Sequence, residues 1–391
     1  MARRLLLVLI MCLTALHTRA LEPAPGRARG LGIPFDGTPG PFNAITDVEG
    51  VLVGQVTLIS GSGKLIVGQG PVRTGVTAIL PRGREPLWNP VFAAWFSQNG
   101  NGEMTGTHWL DEAGFLDGPI LITNTHSVGV VRDSVIKWRI ERGPPDPEGY
   151  VWSLPVVAET WDGWLNDANG FHVKPEHVFQ ALDGARGGPV DEGSVGGGTG
   201  MICNGYKGGI GTASRRVTVL GKRYAVGVLA QCNYGTRDNL RIAGINVGRD
   251  IPAPEPYAFI PADVRELGSI VVVVATDAPL LPIQLKRLAR RVTLGLGRNG
   301  SISGNGSGDL FLAFSTANTG AAADGHEIDL KMLPNGQLDE IFRATVEATE
   351  ESIINAMVAA TDMTGADDHR VIALPHDALR KVLKRFNRLQ P

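Results

Sequence analysis

Glu266-Leu267-Gly268-Ser269-Ile270-Val271-Val272-Val273-Val274-Ala275-Thr276-Asp277 places a small residue and a hydroxyl directly ahead of an unbroken β-branched run. Such a run predicts a short strand buried on both faces, with Ser269 held rigidly at its mouth. Gly268 lets the backbone take φ > 0 and leaves its carbonyl unshielded by a side chain. A hydroxyl fixed beside that carbonyl can attack it, move the acyl group from nitrogen to oxygen and leave an ester that water cleaves. The chain would then be cut between Gly268 and Ser269. Ser269 would gain a free α-amino group with a reference pKa of about 7.7–8.0, close enough to neutrality to act as its own general base. Gly-Ser before an apolar strand also fits an ordinary turn entering a core strand, and these residues alone leave both readings open.

Composition is that of an ordinary globular protein, 43% apolar and 19% charged with a net charge of −2. The 37 Lys and Arg balance 39 Asp and Glu, and no basic block is interleaved with aromatics, so an electrostatic footprint for nucleic acid is missing. Met1-Ala2-Arg3-Arg4 precedes an apolar core from Leu5 to Leu16 that is too short to span a bilayer, and a small residue, Ala20, follows. This pattern predicts a secretory signal peptide over residues 1–20 and a periplasmic or secreted mature chain with no membrane anchor. Beyond the leader only Cys203 and Cys232 remain, too few for a disulfide framework; the pair is free to bond if the fold brings it together. The eight histidines show no metal-ligand spacing, so neither metal nor cofactor is expected.

Residues 22–40 read as a Pro/Gly-rich arm. Strands are expected over 51–58, 75–80, 119–124 and 371–374, with a hairpin turning at Gly221 between 216–220 and 224–229. Helices are expected over 130–138, from Pro282 with Leu285, Leu288, Ala289 and Val292 on one face, over 338–358 and over 378–387. Gly143-Pro144-Pro145-Asp146-Pro147 and the segment 237–265 read as exposed loops. Gly295-Leu296-Gly297-Arg298-Asn299-Gly300 fits a dinucleotide fingerprint but follows a helix, so its glycines are assigned to ending that helix. Gly196 to Gly200 lacks the Lys-Ser/Thr of a phosphate loop and is assigned to a backbone-lined pocket wall. Periodicity by itself gives a mixed α/β class.

Val272-Val273-Val274-Ala275-Thr276-Asp277-Ala278-Pro279-Leu280-Leu281 with the following basic helix, and Ser303-Gly304-Asn305-Gly306-Ser307-Gly308-Asp309 with the apolar run after it, resemble the self-cleaving serine aminopeptidases of the DmpA and β-peptidyl aminopeptidase family. Residues 124–133, 158–167 and 195–212 are similar to the same family, in the same order. The resemblance implies an N-terminal-nucleophile-like α/β fold, a four-layer α/β/β/α sandwich shared with ornithine acetyltransferase. It implies one catalytic domain cut into residues 21–268 and 269–391. It also implies an aminopeptidase acting through an acyl-enzyme on short peptide, amide or ester substrates, in a homo-oligomer, often a tetramer.

The same resemblance assigns roles. Ser269 is the nucleophile, and Ser307 and Asp309 orient it and relay its proton; some relatives carry glutamate where this chain has Asp309. Asn233 is the oxyanion donor, and Glu159 binds the free amino group of the substrate. Trp161 stands where the aminopeptidase prototype has tyrosine, and an indole can donate one hydrogen bond but cannot accept a proton. Two alternatives remain: an acyltransferase of the ornithine acetyltransferase kind, which places threonine at the new terminus where this chain has Ser269, and a non-catalytic binding protein of the same fold.

Overall fold

A strand that is apolar on both faces needs cover on both. The computed structural model, which describes residues 26–84, 89–143, 152–257, 268–323 and 325–390, supplies it with two stacked sheets and two helical layers. The strands of the main sheets are, in chain order, β1 (Leu52–Ser60), β2 (Val72–Leu80), β3 (Val91–Gly100), β4 (Phe115–Leu116), β5 (Ile120–Asn124), β6 (Val156–Thr160), β7 (Gly209–Val219), β8 (Lys222–Asn233), β9 (Ser269–Thr276) and β10 (Gly308–Ser315). The smaller sheet has the order β1-β2-β5-β6 and the larger one β4-β3-β10-β9-β8-β7. The main helices are α1 (Val128–Arg142), α2 (Pro175–Asp183), α3 (Pro282–Arg298), α4 (Asp339–Ala359) and α5 (His376–Arg385).

Side chains alternate across a strand, and β9 uses both faces. Ile270, Val272 and Val274 pack under Leu285, Leu288 and Val292 of α3 and Ile341 and Ile353 of α4. Val271, Val273 and Ala275 face the other sheet and meet Val53, Ile79, Ile122 and Ala158. On the far side of the small sheet, Val76, Ala78, Leu121 and Val157 are covered by α1 through Val131, Val135 and Trp138, and by α2 through Val178 and Leu182. Each such side chain removed from water contributes about 1.5–3 kcal/mol, so the two-sided run on β9 anchors the middle of the molecule. The four-layer α/β/β/α arrangement expected from the resemblance is the observed one.

Two parallel pairs put the chemistry in place. β5 runs parallel to β6 after crossing through α1, and β9 runs parallel to β10 after crossing through α3. Parallel neighbours begin at the same edge, so Ser269 at the start of β9 lies opposite Gly308 at the start of β10 and, on its other side, opposite Asn233 at the end of antiparallel β8.

Local signals met their elements with some differences. The β7–β8 hairpin turns through Leu220 and Gly221, both at positive φ (51° and 75°), the twist that a two-residue connection needs. Helix α3 does not stop at its first glycines: Gly295 and Gly297 lie inside it, and an added Cβ at Gly295 would stand 2.6 Å from Thr349 Cβ, so that glycine allows α3 and α4 to approach. Gly300, at φ 94°, follows the helix end. The strand expected over 371–374 shrinks to Arg370–Val371, paired with Met363–Thr364. Among the described residues no helix is long and apolar enough to cross a membrane. The predicted leader, Pro144 to Pro147 and the stretch 258–265 lie outside the described residues.

Candidate active site

Ser269, Asn233 and Glu159 meet at the end of the gap between the two sheets, and they are 5%, 2% and 4% exposed. The Gly308 N–H donates to Ser269 Oγ and to the Gly268 carbonyl, at 3.2 Å in each case. One backbone donor thus bonds the Ser269 hydroxyl and the preceding peptide carbonyl together. Space explains the glycines here. An added Cβ at Gly308 would stand 2.3 Å from the Asn101 carbonyl and 2.9 Å from Ser269 Oγ, and one at Gly268 would stand 1.8 Å from the Asn233 carbonyl.

Asn233 ends β8 with its amide held at both ends. Its Oδ1 accepts the Ile202 N–H at 2.7 Å and its Nδ2 donates to the Trp161 carbonyl at 2.9 Å. One N–H of the amide remains for an oxyanion. A cavity of about 170 Å³ opens beside Asn233 and Gly268, bordered also by Ile202, Arg237 and Tyr257. Trp161 enters through its backbone carbonyl, while its indole lies against Gly163, where an added Cβ would sit 2.6 Å from Nε1.

Glu159 points from β6 into the same region, with Oε1 accepting the Glu103 N–H at 3.0 Å and Oε2 accepting from Thr125 Oγ1. An added Cβ on Gly102 would stand 3.2 Å from Glu159 Oε1 and 3.6 Å from Gly308 Cα, which places the carboxylate one glycine away from Gly308. Burial pushes the Glu159 pKa up, against the hydrogen bonds from Thr125 and Glu103. It is a desolvated carboxylate held by one backbone and one hydroxyl donor.

Ser307 and Asp309 flank Gly308. Ser307 Oγ donates to Asp309 Oδ1 at 2.6 Å, and Ser303 Oγ donates to Oδ2 at 2.6 Å. Burial raises the Asp309 pKa and these two bonds oppose it. Leu310 packs in the gap between the sheets, so by alternation Asp309 turns to the helix side of β10. Among the described residues neither Ser307 nor Asp309 reaches Ser269 by a hydrogen bond. Their structural effect is to hold the loop that carries Gly308.

The run Gly196 to Gly200 serves differently from the expected pocket wall. Its Gly196 and Gly197 N–H groups are bonded to Thr57 and Thr77, and added Cβ atoms at Gly197 and Gly198 would collide with Gln231 Oε1 and the Ile210 nitrogen. The loop wedges between the sheets and ends at Ile202, which holds Asn233. Ile202, Gly308 and Glu103 escape sequence reasoning because a backbone N–H has no residue signature; the crowded glycine at 308 is the nearest thing to one.

A family model described as Peptidase family S58 matches residues 43–371. The beta-peptidyl aminopeptidase BapA of Sphingosinicella microcystinivorans is 55% identical over 373 residues, 93% of this chain and 93% of that protein. Among solved structures, the L-aminopeptidase D-Ala-esterase/amidase from Ochrobactrum anthropi, described as a prototype for the serine aminopeptidases and a new variant among the Ntn hydrolase fold, superimposes with a TM-score of 0.86 at 47% identity, covering 93% of this chain and 99% of that one. A Burkholderia sp. beta-aminopeptidase superimposes with a TM-score of 0.83 at 46% identity, covering 92% and 98%. The chain belongs to peptidase family S58 and has the Ntn-hydrolase fold of its aminopeptidase members.

Proposed function

We propose that this family S58 aminopeptidase is made as a precursor that cuts itself between Gly268 and Ser269, and that Ser269 then releases the N-terminal residue of short peptides, amides or esters. The observation that carries the proposal is the Gly308 N–H, bonded at once to the Gly268 carbonyl and to Ser269 Oγ. In the first step Ser269 Oγ bonds to the Gly268 carbonyl carbon, the C–N bond breaks, and the Ser269 hydroxyl proton ends on the new α-amine. Water then hydrolyses the ester and frees Ser269 as an N-terminus.

In turnover the α-amine takes the Ser269 proton as the hydroxyl attacks the substrate carbonyl. The free N–H of Asn233 faces the developing oxyanion, and the proton passes to the departing amine or alcohol; water then hydrolyses the acyl-Ser269 ester, releasing the N-terminal residue as its carboxylic acid and returning a proton to Ser269 Oγ. Glu159 pairs with the substrate's ammonium, so an acylated N-terminus leaves its buried carboxylate without a partner. That contact confines cleavage to the first residue. The cavity beside Asn233 and Gly268 gives a neighbouring group room. The relatives' names extend the substrate range to β-aminoacyl amides, whose extra methylene shifts the amine relative to the carbonyl.

We also infer export and a closed homo-oligomer, from the leader pattern and from the resemblance; the buried Cys203–Cys232 disulfide fits an oxidising compartment. The test of function compares aminoacyl anilides, α and β, with their N-acetyl counterparts. Release of amine from the free-amine substrates alone, abolished by Ser269→Ala, is the expected result. Equal cleavage of the N-acetyl forms would contradict an aminopeptidase.

A further inference from the structure

Lys207 is fully buried and takes no part in the steps above. Burying an ammonium is costly, and a methionine of similar length would fill the same space without that cost. The Lys207 Nζ donates to the Met201 carbonyl at 2.8 Å and to the Gly208 carbonyl at 3.0 Å. The Gly208 N–H adds a second donor to the Met201 carbonyl at 2.8 Å. Met201 C=O and Ile202 N–H are the two ends of one planar peptide group, so fixing the oxygen fixes the direction of the N–H. That N–H is the one bonded to Asn233 Oδ1.

We propose that Lys207 is a positioning residue for Asn233: its ammonium locks and polarises the Met201–Ile202 peptide, whose N–H aims the Asn233 amide at the oxyanion. The inference rests on the oxyanion role of Asn233. Neighbouring features converge on the same peptide. Ile202–Cys203 pairs with Tyr206–Lys207 as a tight hairpin, and the Cys203–Cys232 disulfide ties that hairpin to the residue before Asn233. The loop that supplies the Trp161 carbonyl continues into Asp162, whose Cβ would lie 2.8 Å from a Cβ added at Gly200. Burial pushes the Lys207 pKa down to about 7, and the Asp162 carboxyl, itself pushed up to about 7 by burial, opposes that fall without an ion pair between them among the described residues. A hydrogen bond whose carbonyl end is held by a cation is strengthened cooperatively, so the amide gains orientation as well as a partner.

A double-mutant cycle on processed enzyme tests this with an aminoacyl anilide as substrate. Asn233→Ala should lower kcat by roughly 10²–10³-fold, the range for loss of an oxyanion donor. Lys207→Met should lower kcat by about 10-fold with KM within about twofold, because the donor is misaimed while substrate binding is kept. The double variant should be no slower than Asn233→Ala alone. An equal Lys207→Met loss in both backgrounds, or a Lys207→Met enzyme with full kcat, would overturn the inference. A fully active Asn233→Ala enzyme would instead overturn the oxyanion role and the inference with it, and the cycle tells the two failures apart. Should Lys207→Met not fold, Lys207→Gln, which retains one donor for the Met201 carbonyl, enters the same cycle with the same criteria.

Discussion

At Glu159 the sequence offers a carboxylate and the structure decides what it is worth. Burial raises its pKa despite bonds from Thr125 and the Glu103 N–H, and the nearby His126 opposes the rise. The ionised form binds an ammonium, so affinity is lost as pH falls through a pKa that lies above the usual carboxylate value of about 4.3. KM should therefore climb on the acid side at a higher pH than an ordinary glutamate would give, with kcat less affected. Glu159→Gln should raise KM by roughly 10–100-fold, the worth of a charge-assisted hydrogen bond, and should flatten that limb. A KM profile unchanged by the substitution would remove Glu159 from amine binding. Gly268-Ser269 offered self-cleavage as one of two readings of its residue types, and Glu159 was assigned only by the resemblance. The partners of Asn233 were not legible in the sequence: Ile202 N–H and Trp161 C=O are backbone groups, and which residue supplies them depends on how two loops meet.

Among the elements, β9 announced itself through its β-branched run, whereas β3, β6 and β10 did not. β6 ends on the polar residues Glu159 and Thr160, and β10 opens on Gly308 and Asp309, so neither reads as an apolar run. The pairing of β9 with β10 makes a sharp prediction at this scale. A methyl group on Gly308 would stand 2.3 Å from the Asn101 carbonyl and 2.9 Å from Ser269 Oγ, so one of them must move. Gly308→Ala should leave the sheet in place yet slow self-cleavage by at least about 10²-fold, as expected when an oxyanion donor is displaced. A gel of the freshly purified variant reads the result directly, and normal processing would contradict the assigned role of the Gly308 N–H.

For the whole molecule, the four layers follow from burial on both faces of both sheets, which periodicity could classify as α/β but could not stack. The resemblance supplied the stacking, and the packing of Ile270 and Val271 onto opposite layers explains it. Sequence left the pairing of Cys203 and Cys232 open because only the fold brings their Cα atoms to 5.7 Å across a separation of 29 residues. Closing a loop of that length stabilises a fold by about 3–4 kcal/mol through the unfolded state. Replacing both cysteines by alanine should lower the urea midpoint accordingly, and an unchanged midpoint would show that the bond carries no stability. The central claim is that the chain cuts itself before Ser269, and the intact mass of the purified protein under denaturing conditions tests it most directly. Two fragments are predicted, one spanning Ser269–Pro391, together with a single uncut chain for Ser269→Ala. A wild-type protein that remains one chain while hydrolysing aminoacyl anilides would contradict the account, because Ser269 would then have no α-amine to serve as its base.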